Sequence, residues 1–319
     1  MAVYTDIADE ELGAFVADYG IGDVTSFMGI AEGVENSNFL VRTTDGNFIL
    51  TLYEKRVRRE DLPFFLGLME HLAARGVSCP LPLLTKQGEM LRELRGRPAA
   101  MISFLPGLWP RRITANHCAE LGEALASLHI AGSDYPHTRA NSLSLDGWWQ
   151  LIEQTRDRAD EVKPGLGEFL EEEFRFLEEN WPKDLPVGVI HADLFPDNVF
   201  FTGDKLTGLI DFYFACTEAF AYDIVICLNA WCFEPDGSFN RTKAVGFLKR
   251  YLAARPLTPA ERAALPILAR GACLRFLLTR LYDWLNRVPG ALVKPKDPLE
   301  YWTKLRFHQQ VTDPSDYGL

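Results

Sequence analysis

The sequence predicts an α+β protein of two lobes: a small β-rich lobe with one helix over residues 1–104, and a larger, mainly helical lobe over residues 105–319. Three observations lead there. Hairpin signals crowd into the first hundred residues, apolar spacing of helical period dominates the rest, and one β-like island at residues 187–213 interrupts the helical part. With 319 residues, 47% of them hydrophobic, the chain can bury a sizeable core.

Along the chain, Phe39-Leu40-Val41 and Phe48 to Leu52 flank Asp45-Gly46. Asp-Gly between apolar runs predicts a tight hairpin, because the turn needs positive φ. "LPFFLGLMEHLAARG" reads as a helix ended by Gly76, and a proline-punctuated extended stretch follows. "EMLRELRGRPAAMISFLPG" reads as a second strand pair, with the connector between lobes near residues 102–107. Beyond it, "NHCAELGEALASLH" sets Leu121, Leu125 and Leu128 on one helical face. "GEFLEEEFRFLEENW" does the same with Phe169, Phe174, Leu177 and Trp181, its glutamates outward. Thr258, Pro259 and Glu261 make a capped helix start, and Pro266 is expected to kink or reset that helix.

Composition narrows the function classes. A net charge of -11 and a pI near 5.1 disfavour a nucleic-acid partner, since phosphate backbones are met by basic faces. No run approaches the roughly 18 apolar residues of a membrane span. The acidic N-terminus lacks the basic-then-apolar plan of a secretory signal. The 6 cysteines are scattered without a C-x-x-C pair, which points to reduced core thiols in a cytoplasmic protein. Oligomeric state leaves no trace in the sequence.

The chemistry gathers in the island. "VIHADLFPDNVFF" places Asp193 and Asn198 in a loop, and "VFFTGDKLTGLI" reads as a hairpin that returns the chain to Asp211. Two carboxylates and an amide oxygen form a hard-oxygen set suited to Mg²⁺, which takes few protein ligands and keeps waters and phosphates. H-x-D-x-x-x-x-N followed by a strand-end I-D-F has the spacing of a phosphotransfer site. In that arrangement the loop Asp accepts the proton of the attacking hydroxyl, while the Asn and second Asp hold the metal. His191 is expected to brace the loop, and Asp197 and Asp204 to make turns.

On these residues the chain resembles the aminoglycoside phosphotransferase and choline kinase superfamily, whose fold is protein-kinase-like. "GVIHADLFPDNVFF" with "GLIDFYFACTEAFAYDIVICLNAWCFE" is most similar to the homoserine kinases of bacterial threonine biosynthesis. The resemblance implies ATP and Mg²⁺ as cofactors and the alcohol of L-homoserine as phosphoryl acceptor. It implies Asp193 as the catalytic residue, Asn198 and Asp211 as metal ligands, and Asp223 of "AYDI" as a buried support. The hinge "MISF", with Met101 and Ser103, would meet adenine. Gly29, Gly33, Ser37 and Asn38 of "GIAEGVENSN" would form the nucleotide-side loop.

The chain departs from the wider pattern at Thr51, where many relatives carry a phosphate-binding lysine, and the next helix shows no clear glutamate partner. The basic run Lys55, Arg56, Arg58 and Arg59 is either a substitute or a solvated face. Homoserine carries an ammonium and a carboxylate on one carbon, so its pocket needs an acid and a donor. Tyr213, Glu218, Asn229, Trp231 and Arg275 are the candidates, with Arg280 behind them. An aminoglycoside, choline or methylthioribose is the alternative acceptor. A nucleotide-binding protein without catalysis is the reading from another class, and the intact Asp193, Asn198 and Asp211 set speaks against it.

Overall fold

The computed structural model describes residues 5–30, 36–54, 57–287 and 295–319. The chain divides into two compact units, Met1–Gly107 with Thr207–Tyr213, and Leu108–Leu206 with Phe214–Leu319. Residues 207–213, read from the sequence as part of the larger lobe, thus cluster with the first unit.

The first unit holds α1 (Asp9–Ala17), β1 (Val24–Gly29), β2 (Ser37–Thr43), β3 (Asn47–Leu52), α2 (Leu62–Ala74), β4 (Arg92–Leu94) and β5 (Arg97–Ser103). Its strands form one antiparallel sheet in the order β1-β2-β3-β5-β4. The Asp45-Gly46 turn closes β2 onto β3, with the Thr43 amide donating to the Gly46 carbonyl at 2.8 Å. Arg95 and Gly96, at φ 54° and 70°, make the tight β4–β5 turn. Gly76, at φ 81°, ends α2 while the Val77 amide closes on the Leu72 carbonyl.

Sequence reading gave this lobe one helix, and its described residues form two α-helices. In "DEELGAFVA" only Leu12, Phe15 and Val16 carry the apolar spacing, too few to register as periodic. Those side chains nevertheless complete a core with Phe39, Val41, Leu50, Leu52 and Met101.

The second unit holds α3 (Ala115–Ala131), α4 (Leu145–Ala159), α5 (Leu166–Asn180), β6 (Val187–Ile190) and β7 (Val199–Thr202). The strand β8 (Lys205–Leu209) leads out of it, and β9 (Cys216–Ala219), α6 (Phe220–Trp231), α7 (Arg241–Ala254), α8 (Pro259–Leu285) and α9 (Leu299–His308) complete it. Strands β6 and β9 pair antiparallel with Ile190 opposite Cys216. Leu121, Leu125 and Leu128 of α3 are wholly buried, as their spacing predicts.

Two local expectations are corrected. Helix α8 starts on a Thr258–Glu261 capping box but runs on through Pro266 without being reset. Glu173 of α5 faces inward and not outward, because both its oxygens are taken by the Arg270 guanidinium at 2.7 and 2.8 Å. Among the described residues no helix is long and apolar enough to cross a membrane.

Close approach of α3 to α7 depends on Gly122, where an added Cβ would stand 2.1 Å from the Phe247 carbonyl oxygen. Backbone cannot yield as a flexible side chain can. Gly122→Ala should therefore destabilise the second unit by about 1–3 kcal/mol through overpacking, read as a lower urea midpoint at unchanged slope.

Candidate active site

Strand β6 delivers the chain to a loop in which nearly every backbone group is held. Ala192 sits at φ 64°, a left-handed conformation that costs a residue with a Cβ. The buried Asp223 carboxylate of α6 accepts from the amides of His191 at 2.8 Å and Ala192 at 2.9 Å. From the other side, Arg275 of α8 donates to the Ala192 carbonyl at 2.6 Å. The Trp231 indole donates to the Leu194 carbonyl at 2.7 Å, and His191 Nδ1 accepts from the Asp193 amide at 3.3 Å.

Asp193 and Asn198 are joined within that frame. The Asn198 side-chain nitrogen donates to the Asp193 carbonyl at 2.8 Å and to its carboxylate at 3.1 Å. The amide oxygen is then the atom Asn198 has to offer a cation. Asp211 follows β8 at φ 66°, like Ala192 a non-glycine residue in left-handed backbone. Among the described residues no three histidines, cysteines or acidic side chains cluster as a metal site. Mg²⁺ needs only one or two protein carboxylates where phosphates supply the rest, and the side-chain oxygens of Asn198 and of Asp211 are each donors of that hard kind.

Behind the loop runs a buried relay. His129 Nε2 lies 3.2 Å from Asp223 Oδ2, and its Nδ1 lies 2.8 Å from the Tyr251 hydroxyl. Arg255 donates to that hydroxyl at 3.2 Å and to Glu261 at 2.8 Å. Burial holds the His129 pKa below its ordinary value, although the hydrogen bond to Asp223 works the other way. A neutral ring with Nε2–H donating to Asp223 and Nδ1 accepting from Tyr251 satisfies every group. Burial would raise the Asp223 pKa, but the hydrogen bond from His129 and the His191 amide outweigh it, and the net shift is downward. Sequence reading missed this histidine; its place after Leu125 and Leu128 on an apolar helix face was the available signal.

Several expected site residues have other duties. Trp231 and Arg275, expected as acceptor contacts, are buried and donate to the loop's Leu194 and Ala192 carbonyls. Asn229 is buried among helices, with Oδ1 2.6 Å from His308 Nε2 and its carbonyl accepting from Lys304 at 2.8 Å. Tyr213 lies in the first unit, its hydroxyl 3.0 Å from that of Tyr53 and its ring edge-on to Tyr53 and Phe65. Arg280 pairs with Glu300 at 2.6 Å. Glu218 alone of the acceptor candidates is half-buried in the second unit with its carboxylate oriented, by Asn141 Nδ2 at 3.2 Å and the Ala219 amide at 2.9 Å.

On the nucleotide side, Ser37 is wholly buried and donates to Glu54 at 2.8 Å, which makes it a structural brace. Asn38 accepts from Thr51 at 2.8 Å across the β2–β3 register. Thr51 is therefore a buried hydrogen-bonding residue, and no cation stands there. Gly29 is exposed at the end of β1, while Gly33, Lys55 and Arg56 lie outside the described residues. Arg58 and Arg59 form exposed ion pairs with Glu60, Asp61 and Glu93, as a solvated face does. At the expected hinge, the Met101 carbonyl accepts from the Leu83 amide and the Ser103 amide donates to the Leu81 carbonyl, each at 2.8 Å.

The family model described as "Phosphotransferase enzyme family" matches residues 26–270. A homoserine kinase of Xanthobacter autotrophicus is 65% identical over 319 residues, covering 100% of this chain and 99% of that one. Among solved structures, an amicoumacin kinase in complex with AMP-PNP and Ca²⁺ superposes with a TM-score of 0.72 at 16% identity, over 98% of this chain and 97% of that one. A choline kinase of Cryptosporidium parvum gives 0.64 at 16% identity, over 89% and 88%. The fold is the bilobal, protein-kinase-like α+β fold these neighbours share.

Arg275→Met should leave the Ala192 carbonyl unsatisfied, costing about 1–3 kcal/mol of stability. By loosening the loop it should lower turnover by up to about 10²-fold, with KM for both substrates within about twofold. A selective rise in acceptor KM would restore Arg275 as a binding residue. Acid should weaken the fold through the buried imidazoles. The pKa values of His129 and His308 (the latter about 3) lie below the unfolded 6.5, so the unfolded state takes up protons first. Stability is then full above about pH 6.5 and falls on acidification by up to about 1.4 kcal/mol per pH unit for each ring. Urea midpoints at pH 7.5 and 5.5 measure it.

Proposed function

The chain belongs to the phosphotransferase enzyme family, and on that premise we propose that it acts as a homoserine kinase, moving the γ-phosphoryl group of ATP to the side-chain hydroxyl of L-homoserine. The observation that carries the acceptor is the likeness to a curated homoserine kinase along the whole of both chains. What supports the reaction itself is the gripped loop that presents Asp193.

Phosphoryl transfer needs positioning and charge neutralisation more than covalent chemistry. Asp193 is placed by its own backbone, since the amide is held by His191 and the carbonyl by Asn198 and Phe195. Its carboxylate accepts the proton of the attacking hydroxyl as the new O–P bond forms. Asn198 steadies that carboxylate through its nitrogen and, with Asp211, is the residue that would hold Mg²⁺. The ion, when bound, neutralises the triphosphate and draws charge from the transferring group. Thr51 itself supplies no positive charge to the phosphates.

An ADP-release assay with L-homoserine, choline and an aminoglycoside tests the acceptor; preference for either of the last two overturns the assignment. Asp193→Asn should lower kcat by roughly 10²–10⁴-fold, the span of general acid–base catalysis, with KM for ATP nearly unchanged. A variant with wild-type turnover removes Asp193 from the mechanism.

A further inference from the structure

The buried relay behind the catalytic loop has a direction, and its far end sets it. Arg255, just past α7, donates through Nη1 to the Tyr251 hydroxyl at 3.2 Å and through Nη2 to Glu261 Oε1 at 2.8 Å. A guanidinium has donors and no acceptor. The Tyr251 proton therefore cannot be given to Arg255 and goes to His129 Nδ1, 2.8 Å away. With Nδ1 accepting, the proton of the neutral ring belongs on Nε2, 3.2 Å from Asp223 Oδ2. The opposite tautomer would turn a bare nitrogen towards a carboxylate, two acceptors face to face.

We infer that Tyr251 and Arg255 are positioning residues for phosphoryl transfer, acting on the base through the tautomer of His129. The inference rests on the reading of Asp193 as that base and deepens it. Asp223 receives three donors: His129, the His191 amide at 2.8 Å and the Ala192 amide at 2.9 Å. Ala192 immediately precedes Asp193. A buried carboxylate stays in place as an anion only where its oxygens are satisfied. Losing the imidazole donor therefore weakens its hold on the two amides, and with them the placing of Asp193.

The surroundings preserve the direction. Glu261 is wholly buried and its other oxygen accepts from the Thr258 amide at 2.9 Å, which anchors Arg255 to the first turn of α8. The guanidinium lies 4.4 Å over the Phe220 ring, and that ring stands 4.8 Å from the imidazole of His129. Phe220 also covers Gly188 of β6, where an added Cβ would stand 2.2 Å from the ring. The strand that leads into the loop thus packs on the same cage. His129 and Tyr251 are both buried, so bulk water does not compete for their bonds.

Long-range ¹H–¹⁵N spectra of the full-length protein read the tautomer directly, and steady-state kinetics read its consequence. In the wild type His129 should carry its proton on Nε2 alone. Tyr251→Phe leaves Arg255 with Glu261 but removes the donor to Nδ1, so Nδ1–H signal should appear. Its kcat should fall about 10-fold, short of the roughly 10²-fold that an ångström of misplacement costs, with KM for both substrates within about twofold. His129→Gln, whose carboxamide can donate to Asp223 and is never charged, should keep most of its turnover, and His129→Leu should not. Wild-type kcat in Tyr251→Phe, a rise in KM in place of the fall in kcat, or equal losses in the Gln and Leu variants overturns the inference. Thermal melts identify folded variants, and the Gln and Leu pair decides alone if Tyr251→Phe does not fold. Failure of the wild-type protein to phosphorylate homoserine overturns instead the proposed function, while the tautomer is still read without turnover.

Discussion

The active centre depends on the grip that Asp223 and Arg275 exert on one residue. Ala192 stands in a conformation that its Cβ disfavours, and such strain persists only where the surroundings over-determine it. Here the amide is held by a carboxylate from α6 and the carbonyl by a guanidinium from α8. Both hydrogen bonds are charge-assisted and buried, the strong kind. The left-handed residue turns the chain sharply between the apolar end of β6 and the polar loop. Asp193 consequently leaves the core one residue later.

That grip has electrostatic consequences further back. A buried carboxylate is costly unless its oxygens are satisfied. Two backbone amides and His129 satisfy Asp223, and Tyr251 fixes which nitrogen of His129 carries the proton. Arg255 is balanced by Glu261, so the relay ends in a partly buried ion pair and not in a bare charge. Polar networks of this type are stabilising when complete and costly when broken. Helices α3, α6, α7 and α8 all contribute a member, which couples the loop's geometry to the packing of the whole second unit.

The sequence disclosed this centre unevenly, for physical reasons. The bond between Asp193 and Asn198 was legible because the two lie within one short loop. The Asp45-Gly46 hairpin, the Gly76 helix end and the Thr258 cap were legible because each is local. Arg275 and Trp231 were noticed, but their bonds to the loop were not: sequence shows a polar atom near a site, not which backbone group it holds. His129 and Tyr251 went unseen since the partners in question lie 94 and 122 residues apart. Helix α1 and the inward Glu173 failed for related reasons, one too short for periodicity and the other dependent on a distant arginine.

The same division explains how one fold accommodates many acceptors. Neighbours at 16% identity keep the architecture, so fold alone says nothing of substrate. In this chain the loop-gripping residues come from helix interiors, where changing one member would leave an unpaired buried charge. At the β6–β9 pair, by contrast, the contacts are backbone ladder bonds, with Ile190 opposite Cys216, and a change of side chain does not remove those.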